Sequence, residues 1–426
     1  MTSPAWNVGF AKVDITPRKA VQLAGYYGAR VSEGAHDPLF ARATVFDNGD
    51  DRVAIVALDL IGVSDTETAA LRAEIEKRAG LKPEQVMVCA THTHTGPACG
   101  SEPEYVQWMR PRVGESVADA LENMWDCEVR VGSDKAEGVS FIRRYVMKDG
   151  SVVTNPGLLN PDVDHPIGEV DPQVSTLRAV RGGKTYLALV NFALHCDTVG
   201  GNLLSAGWPY FMGKVIKQAL GKQADTVFLQ GCCGDINHWN VFKGGHLKGF
   251  DEAERIGKAV GEAAVRAVAS DQPLPVGPVG CASRKTALPV PQVSEADYQE
   301  AKAEMEKPYD SDADFTMERV LARKKVRVHE RGGKPLEVEV QAFRAGDAAF
   351  VALPCEYFNA LGRQIKSRSP IQHTTVVELA NGSFGYIAEA HNYEEGGYET
   401  TSSIVAPGAG EQLRDTALDL LGELAK

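Results

Sequence analysis

The stretch "VMVCATHTHTGP" (Val86–Pro97) joins a short, wholly apolar run to a polar tail carrying His92 and His94. An apolar run of that length, closed by polar residues, reads as a strand covered on both faces. If the chain stays extended beyond it, positions i and i+2 face the same side. Both imidazoles could then reach one metal ion, or one could ligate while the other stands behind it. Two hydrogen-bonded histidines closing a strand would have the same spacing. Two expectations follow: a buried strand, and functional residues just past its C-terminal end.

The pattern recurs along the chain. Strand-like runs occur at Arg52–Leu60, Gln85–Ala90, Tyr186–Leu194, Thr226–Gly231, Ala348–Pro354 and Thr374–Ala380. Helical patterns lie between them at Asp65–Gly80, Tyr105–Met124, Pro209–Leu220, Asp251–Ser270, Tyr357–Ser367 and Glu411–Leu424. This alternation predicts a layered α/β domain with a mixed or largely parallel sheet covered by helices. Polar, glycine-rich segments follow the strands: "HCDTVGGN", "GCCGDIN", "CEYFN" and "NGSFGY". In an α/β sheet the crevice outside the strand C-termini takes the ligand, so these segments are expected to build one site. No repeat or low-complexity segment interrupts the chain. The passage 271–346 differs, with a Pro-rich opening, two charged helical segments and an alternating strand. It reads as an excursion or subdomain of an otherwise single domain spanning 1–426.

Bulk properties narrow the function. The 426 residues are 43% hydrophobic and 24% charged, ordinary values for a globular protein. A net charge of −12 and a pI near 5.4 argue against nucleic acid as a partner. No run approaches the length of a membrane span. The start, "MTSPAWNVGFAKVDITP", shows no basic segment followed by an apolar one, which gives a cytoplasmic expectation. Eight cysteines without a C-x-x-C pair suggest reduced, buried thiols rather than a disulfide framework. The expected partner is a small-molecule substrate. The oligomeric state is not legible.

Among single residues, His195 repeats the strand-end placement of His92 and His94. Three such histidines suit zinc, which takes imidazole nitrogen readily and keeps an open position in catalytic sites. The continuation "TGP" excludes the H-x-H-x-D-H pattern. Glu356 follows "FVALP" at another strand end, a position equally suited to a helix start. Asp235 sits in a turn-like "CCGDIN", where it could cap a helix.

Taken together, the chain resembles the neutral/alkaline non-lysosomal ceramidase family in its catalytic N-terminal domain. The resemblance rests on "GFAKVDITP", "LAGYYGAR", "HDPLFARATVFDNG", "VAIVALDLIGV", "ATHTHTGP", "LHCDTVGGN", "FLQGCCGDIN", "LPCEYFNALGRQIK" and "LANGSFGYIAEAHNYEEGGYE", in that order. It implies a single Zn2+ held by His92, His195, Glu356 and Tyr386, with His94 behind them; because an imidazole changes charge near neutral pH, His94 is the candidate proton shuttle. It also implies Tyr398 and Arg143 at the reacting centre, with Asp235 beside them. Arg144, next to Arg143, competes with it for that role.

The family's reaction is hydrolysis of an amide, by metal-activated water. Three departures bear on the substrate. Asn237 stands where ceramidases carry a serine after "GD". The chain closes on a helix where they continue into an immunoglobulin-like domain. No amphipathic segment suggests a lipid surface. These favour a zinc-dependent amidase or esterase acting on a small polar amide, lactam, lactone or ester, with Asn237, His36 and Arg144 as substrate contacts. A true ceramidase and a non-catalytic, ceramidase-like binding protein are the competing readings.

Overall fold

A computed structural model describes residues 5–245, 248–308 and 315–426. Its centre is a pair of sheets packed face to face. The larger runs in the order Asp225–Gln230, Lys184–Phe192, Gln173–Arg181, Met124–Lys135, Trp6–Asp14, Phe40–Asp47, Arg52–Leu58, Val86–Ala90, with Gln272–Leu274 added beside Met124–Lys135. The smaller runs Val279–Leu288, Leu336–Ala345, Ala348–Leu353, His373–Glu378.

Side-chain alternation explains the layering. In Arg52–Leu58, Val53, Ile55 and Ala57 enter the core between the sheets, beside Phe343, Phe350 and Val377 of the smaller sheet. Ala54, Val56 and Leu58 face the other way, against Leu71 and Ile75 of helix Asp65–Ala79 and Met109 and Val113 of helix Pro103–Glu122. Helices Trp208–Leu220 and Phe250–Ala269 cover Ala188, Val190 and Phe192 in the same way. Helices Asn359–Arg368 and Ala409–Ala425 cover the outer face of the smaller sheet. The result is four layers: helices, sheet, sheet, helices.

The α/β expectation and the site of each predicted strand and helix hold, with ends shifted by a residue or two. The sheets are mixed, and most of their pairings are antiparallel. The wholly apolar strands pointed to a parallel sheet because both their faces are buried. Here a second sheet buries one face, so burial does not report strand direction. Within these two sheets, among the described residues, the parallel pairs are Arg52–Leu58 with Val86–Ala90, Lys184–Phe192 with Asp225–Gln230, and Ala348–Leu353 with His373–Glu378.

Within 271–346, strands Val279–Leu288 and Leu336–Ala345 are integral to the smaller sheet. The excursion proper is the pair of helices between them, Glu295–Met305 and Met317–Glu330. No helix among the described residues is long and apolar enough to cross a membrane. The cysteines are free, as the composition suggested.

Candidate metal centre

The C-terminal ends of the parallel pairs converge. Past Val86–Ala90 the chain bends sharply: His92 has φ +66° and donates its amide to Leu60 O at 2.9 Å. A non-glycine residue in that left-handed region is held there by its surroundings and is common at functional sites. The two histidines therefore meet through a turn and not along an extended strand, with ring centroids 4.8 Å apart. The His195 ring, past Lys184–Phe192, lies 4.7 Å from that of His92. One ring nitrogen from each of His92, His94 and His195 falls within 4.8 Å of the others, forming a group able to hold a metal ion.

Hydrogen bonds orient two of the three. His92 Nδ1 is 2.8 Å from Ile61 O, and His195 Nδ1 is 2.9 Å from Cys233 O. Since a carbonyl only accepts, each Nδ1 carries the proton and each Nε2 presents a lone pair, as metal-binding imidazoles require. Glu356 Oε2 stands 3.2 Å from His195 Nε2 and 3.5 Å from His92 Nε2. Neither contact has hydrogen-bond geometry, and this buried oxygen is left without a hydrogen-bond partner. Burial alone would raise the Glu356 carboxyl. Hydrogen bonding and charge from His195 and His92, present when their Nε2 atoms carry protons, outweigh burial and lower the group well below the usual carboxylate range; with both Nε2 atoms bare, a cation would supply the same compensation. An ionised oxygen lacking a donor, among nitrogen lone pairs, fits a cation such as zinc. The register of Glu356–Tyr357 with Tyr386–Ile387 sets Tyr386 directly beside Glu356.

His94 lies 3.4 Å from His92 Nε2 through its own Nε2, while its buried Nδ1 has no partner. Burial, reinforced by the neighbouring His92, pushes it down to about 3, so it is a neutral imidazole near pH 7. It is locked in place by segment 23–30. Arg30 donates to His94 O at 2.7 Å, and Gly25, at φ +105°, presses so closely that a Cβ there would lie 2.6 Å from His94 Cβ.

Arg143 follows Phe141–Ile142, which pairs with Ile236–Asn237. Its guanidinium binds Glu399 Oε1 at 2.5 Å and Gly234 O at 2.8 Å, and reaches 3.4 Å from His195 Nε2. It also stands 5.1 Å from the Tyr386 ring and 6.0 Å from that of Tyr398. The Tyr398 hydroxyl is 3.0 Å from that of Tyr27. A cavity of about 830 Å³ opens onto this group, lined by His94, His195, Arg143, Tyr386 and Tyr398.

Other sequence-predicted contacts lie away from that cavity's lining. Arg144 is buried and binds Gly396 O at 2.8 Å and Glu395 at 3.1 Å, so of the arginine pair Arg143 faces the site. His36 stacks on Phe250, ring centroids 3.8 Å apart, and pairs with Asp37 at 2.8 Å. Asn237 is buried and donates to Asn155 Oδ1 at 3.2 Å; Asn155, not Asn237, lines the cavity. Asp235 accepts Asn359 N at 2.8 Å, capping helix Asn359–Arg368, and burial raises it to about 6.

Three acidic residues were not singled out from sequence. Glu378, fully buried and raised by burial to about 8, accepts from Cys233 N and Tyr357 N at 3.0 and 2.8 Å. It thereby steadies the segments that bear His195's partner and Glu356. Glu399, also fully buried, clamps Arg143. Asp197 lines the cavity. Glu378 and Asp197 each end an apolar strand run, a signal the sequence carries.

Fold and site together define an α/β protein with a buried, metal-competent histidine group at converging strand ends. Residues 6–203 match the family model described as neutral/alkaline non-lysosomal ceramidase, N-terminal. The match covers residues 6–203 of 426, and over that stretch it bears out the sequence resemblance. The fold is shared along the whole chain. A crystal structure of neutral ceramidase from Pseudomonas aeruginosa is similar over 100% of this chain and 76% of its own, at 20% identity and a TM-score of 0.76. A structure of ceramidase complexed with C2 is similar over 98% of this chain and 75% of its own, at 18% identity and a TM-score of 0.75. No curated protein sequence matches.

Proposed function

We propose that the protein is a zinc-dependent hydrolase that cleaves an amide or ester bond in a small substrate, with water as the nucleophile. The observation that carries this reading is the buried Glu356 oxygen, without a hydrogen-bond partner, 3.5 Å from His92 Nε2 and 3.2 Å from His195 Nε2. His92, His195, Glu356 and Tyr386 would hold the ion. Bound zinc would supply Lewis-acid polarisation of the carbonyl and acidify water. Arg143, fixed by Glu399, and Tyr398 would donate to the developing oxyanion, the kind of preorganised charge that contributes most to acyl transfer. His94, neutral, would take and return the proton at Nε2.

A true ceramidase is the second reading. It is favoured by the apolar rim of the cavity, where Val153, Phe315 and Met317 are exposed. A screen of short and long N-acyl amides and esters, run with and without chelator, tests both. Hydrolysis should vanish on chelation and return with zinc. Glu356→Gln should lower both zinc content and rate, the latter by about 100-fold or more. Activity that persists in the metal-free protein would refute the zinc mechanism. Failure to release fatty acid from a fluorescent ceramide in detergent would remove the second reading and leave the first.

A further inference from the structure

The cavity has a polar wall that the proposed chemistry does not use. Asp197 lies two residues after His195 and lines the cavity with His94, Trp239 and Lys248. One of its carboxylate oxygens is fixed: Oδ1 is 3.2 Å from His238 Nδ1. The other ring nitrogen of His238 accepts the Trp239 indole N–H at 2.7 Å. Since indole only donates, His238 Nε2 accepts in this contact, and Nδ1 is the ring nitrogen that faces Asp197. The main chain is held as well, because the Tyr26 hydroxyl donates to Asp197 O at 2.9 Å.

The second oxygen, Oδ2, receives no donor among the described residues. The cations nearby are committed elsewhere. Arg143 is clamped by Glu399, and Lys248 stands over the Trp239 ring at 5.2 Å. A carboxylate that lines the cavity, with one oxygen committed to His238 and no donor on the other, offers a cation entering the cavity a place to bind. We propose that Asp197, oriented by the His238–Trp239 pair, is a subsite for a substrate ammonium group and determines specificity. This rests on the reading of the cavity as the substrate site of a zinc hydrolase.

Three matched probes test it: N-butyrylethylenediamine, which is cationic at neutral pH, N-butyrylethanolamine and N-butyrylpropylamine. Their affinities for the zinc-loaded full chain are measured by ligand-observed NMR. The wild type should bind the ammonium probe about tenfold or more tighter than the propyl probe. Asp197→Asn, which keeps an oxygen for His238, should erase that ratio. Equal binding of all three probes, strongest binding of the hydroxyl probe, or an ammonium preference surviving in Asp197→Asn would overturn the proposal. If melting or zinc content shows that Asp197→Asn is misfolded, Asp197→Ser takes its place, and the wild-type ranking stands as a test by itself. Turnover is scored separately on the same compounds. Preferential binding without hydrolysis keeps the subsite and removes the hydrolase; hydrolysis without preference does the reverse.

Discussion

Several single residues around this site, His94, Glu378 and Asp235, are shifted chiefly by burial. Asp235 shows it in isolation from the metal ligands. Its carboxyl is raised from 3.8 to about 6, chiefly by burial, although it accepts a helix-terminal N–H. A raised folded-state pKa means that the native protein prefers the proton. The contribution to stability is complete below pH 3.8 and is lost as pH rises through about 6. The ionised wild type therefore carries a penalty of up to about 3 kcal/mol at pH 8. Asp235→Asn keeps the acceptor for Asn359 and cannot ionise. Its stability relative to wild type should climb between pH 4 and pH 7, measured by urea denaturation at fixed zinc concentration. A difference that stays flat with pH would show that Asp235 is not a buried, perturbed acid.

Secondary-structure elements were legible where period and length agree, as in helix Asp65–Ala79 with its Ser64 cap or strand Val86–Ala90. Strand direction was not, because an apolar run records only that both faces are covered. The histidines could be read from sequence because each stands at a strand end. Tyr386 and Glu356 could be proposed as ligands only through family resemblance, since nothing local separates them from a core tyrosine and a helix-start glutamate. Glu399 lay further out of reach: its partner Arg143 is 256 residues away, and no local pattern encodes such a pair. The excursion helix Met317–Glu330 supplies one wall of the site in the same long-range way. Phe315, just before it, packs its ring against that of Tyr27 at 4.9 Å and a tilt of 50°, and Lys324 donates to Thr400 O at 3.3 Å. If this wall receives an acyl chain, Phe315→Ala combined with Met317→Ser should flatten the dependence of kcat/KM on acyl length. Each buried methylene of substrate is worth about 0.8 kcal/mol, so two lost methylene contacts amount to about tenfold. An unaltered length dependence would place the acyl group elsewhere.

At the scale of the whole molecule, the candidate ligands come from both sheets. His92 and His195 leave strands of the larger one, and Glu356 and Tyr386 follow strands of the smaller. The sheets are joined by the shared core, where the rings of Phe46 and Phe350 lie 6.2 Å apart. They are also joined by polar stitches: Asn191 Nδ2 donates to Val376 O at 3.0 Å, and Val88 N donates to Asn381 Oδ1 at 3.0 Å. A metal bound by both sets of residues closes a further link across the interface, so metal affinity and sheet docking must be thermodynamically coupled. Zinc at 100 times its Kd should stabilise the fold by about 2.7 kcal/mol. Phe350→Ala should cost about 3–5 kcal/mol by opening the core, and should weaken zinc binding although it touches no ligand. The same coupling predicts where the metal-free protein loosens first. Hydrogen exchange should accelerate in the short pair Glu356–Tyr357 and Tyr386–Ile387 while strands Arg52–Leu58 and Ala348–Leu353 keep their protection. If exchange in that pair is indifferent to zinc, the ion is not held by both sheets. The three histidines would then have to bind it without Glu356.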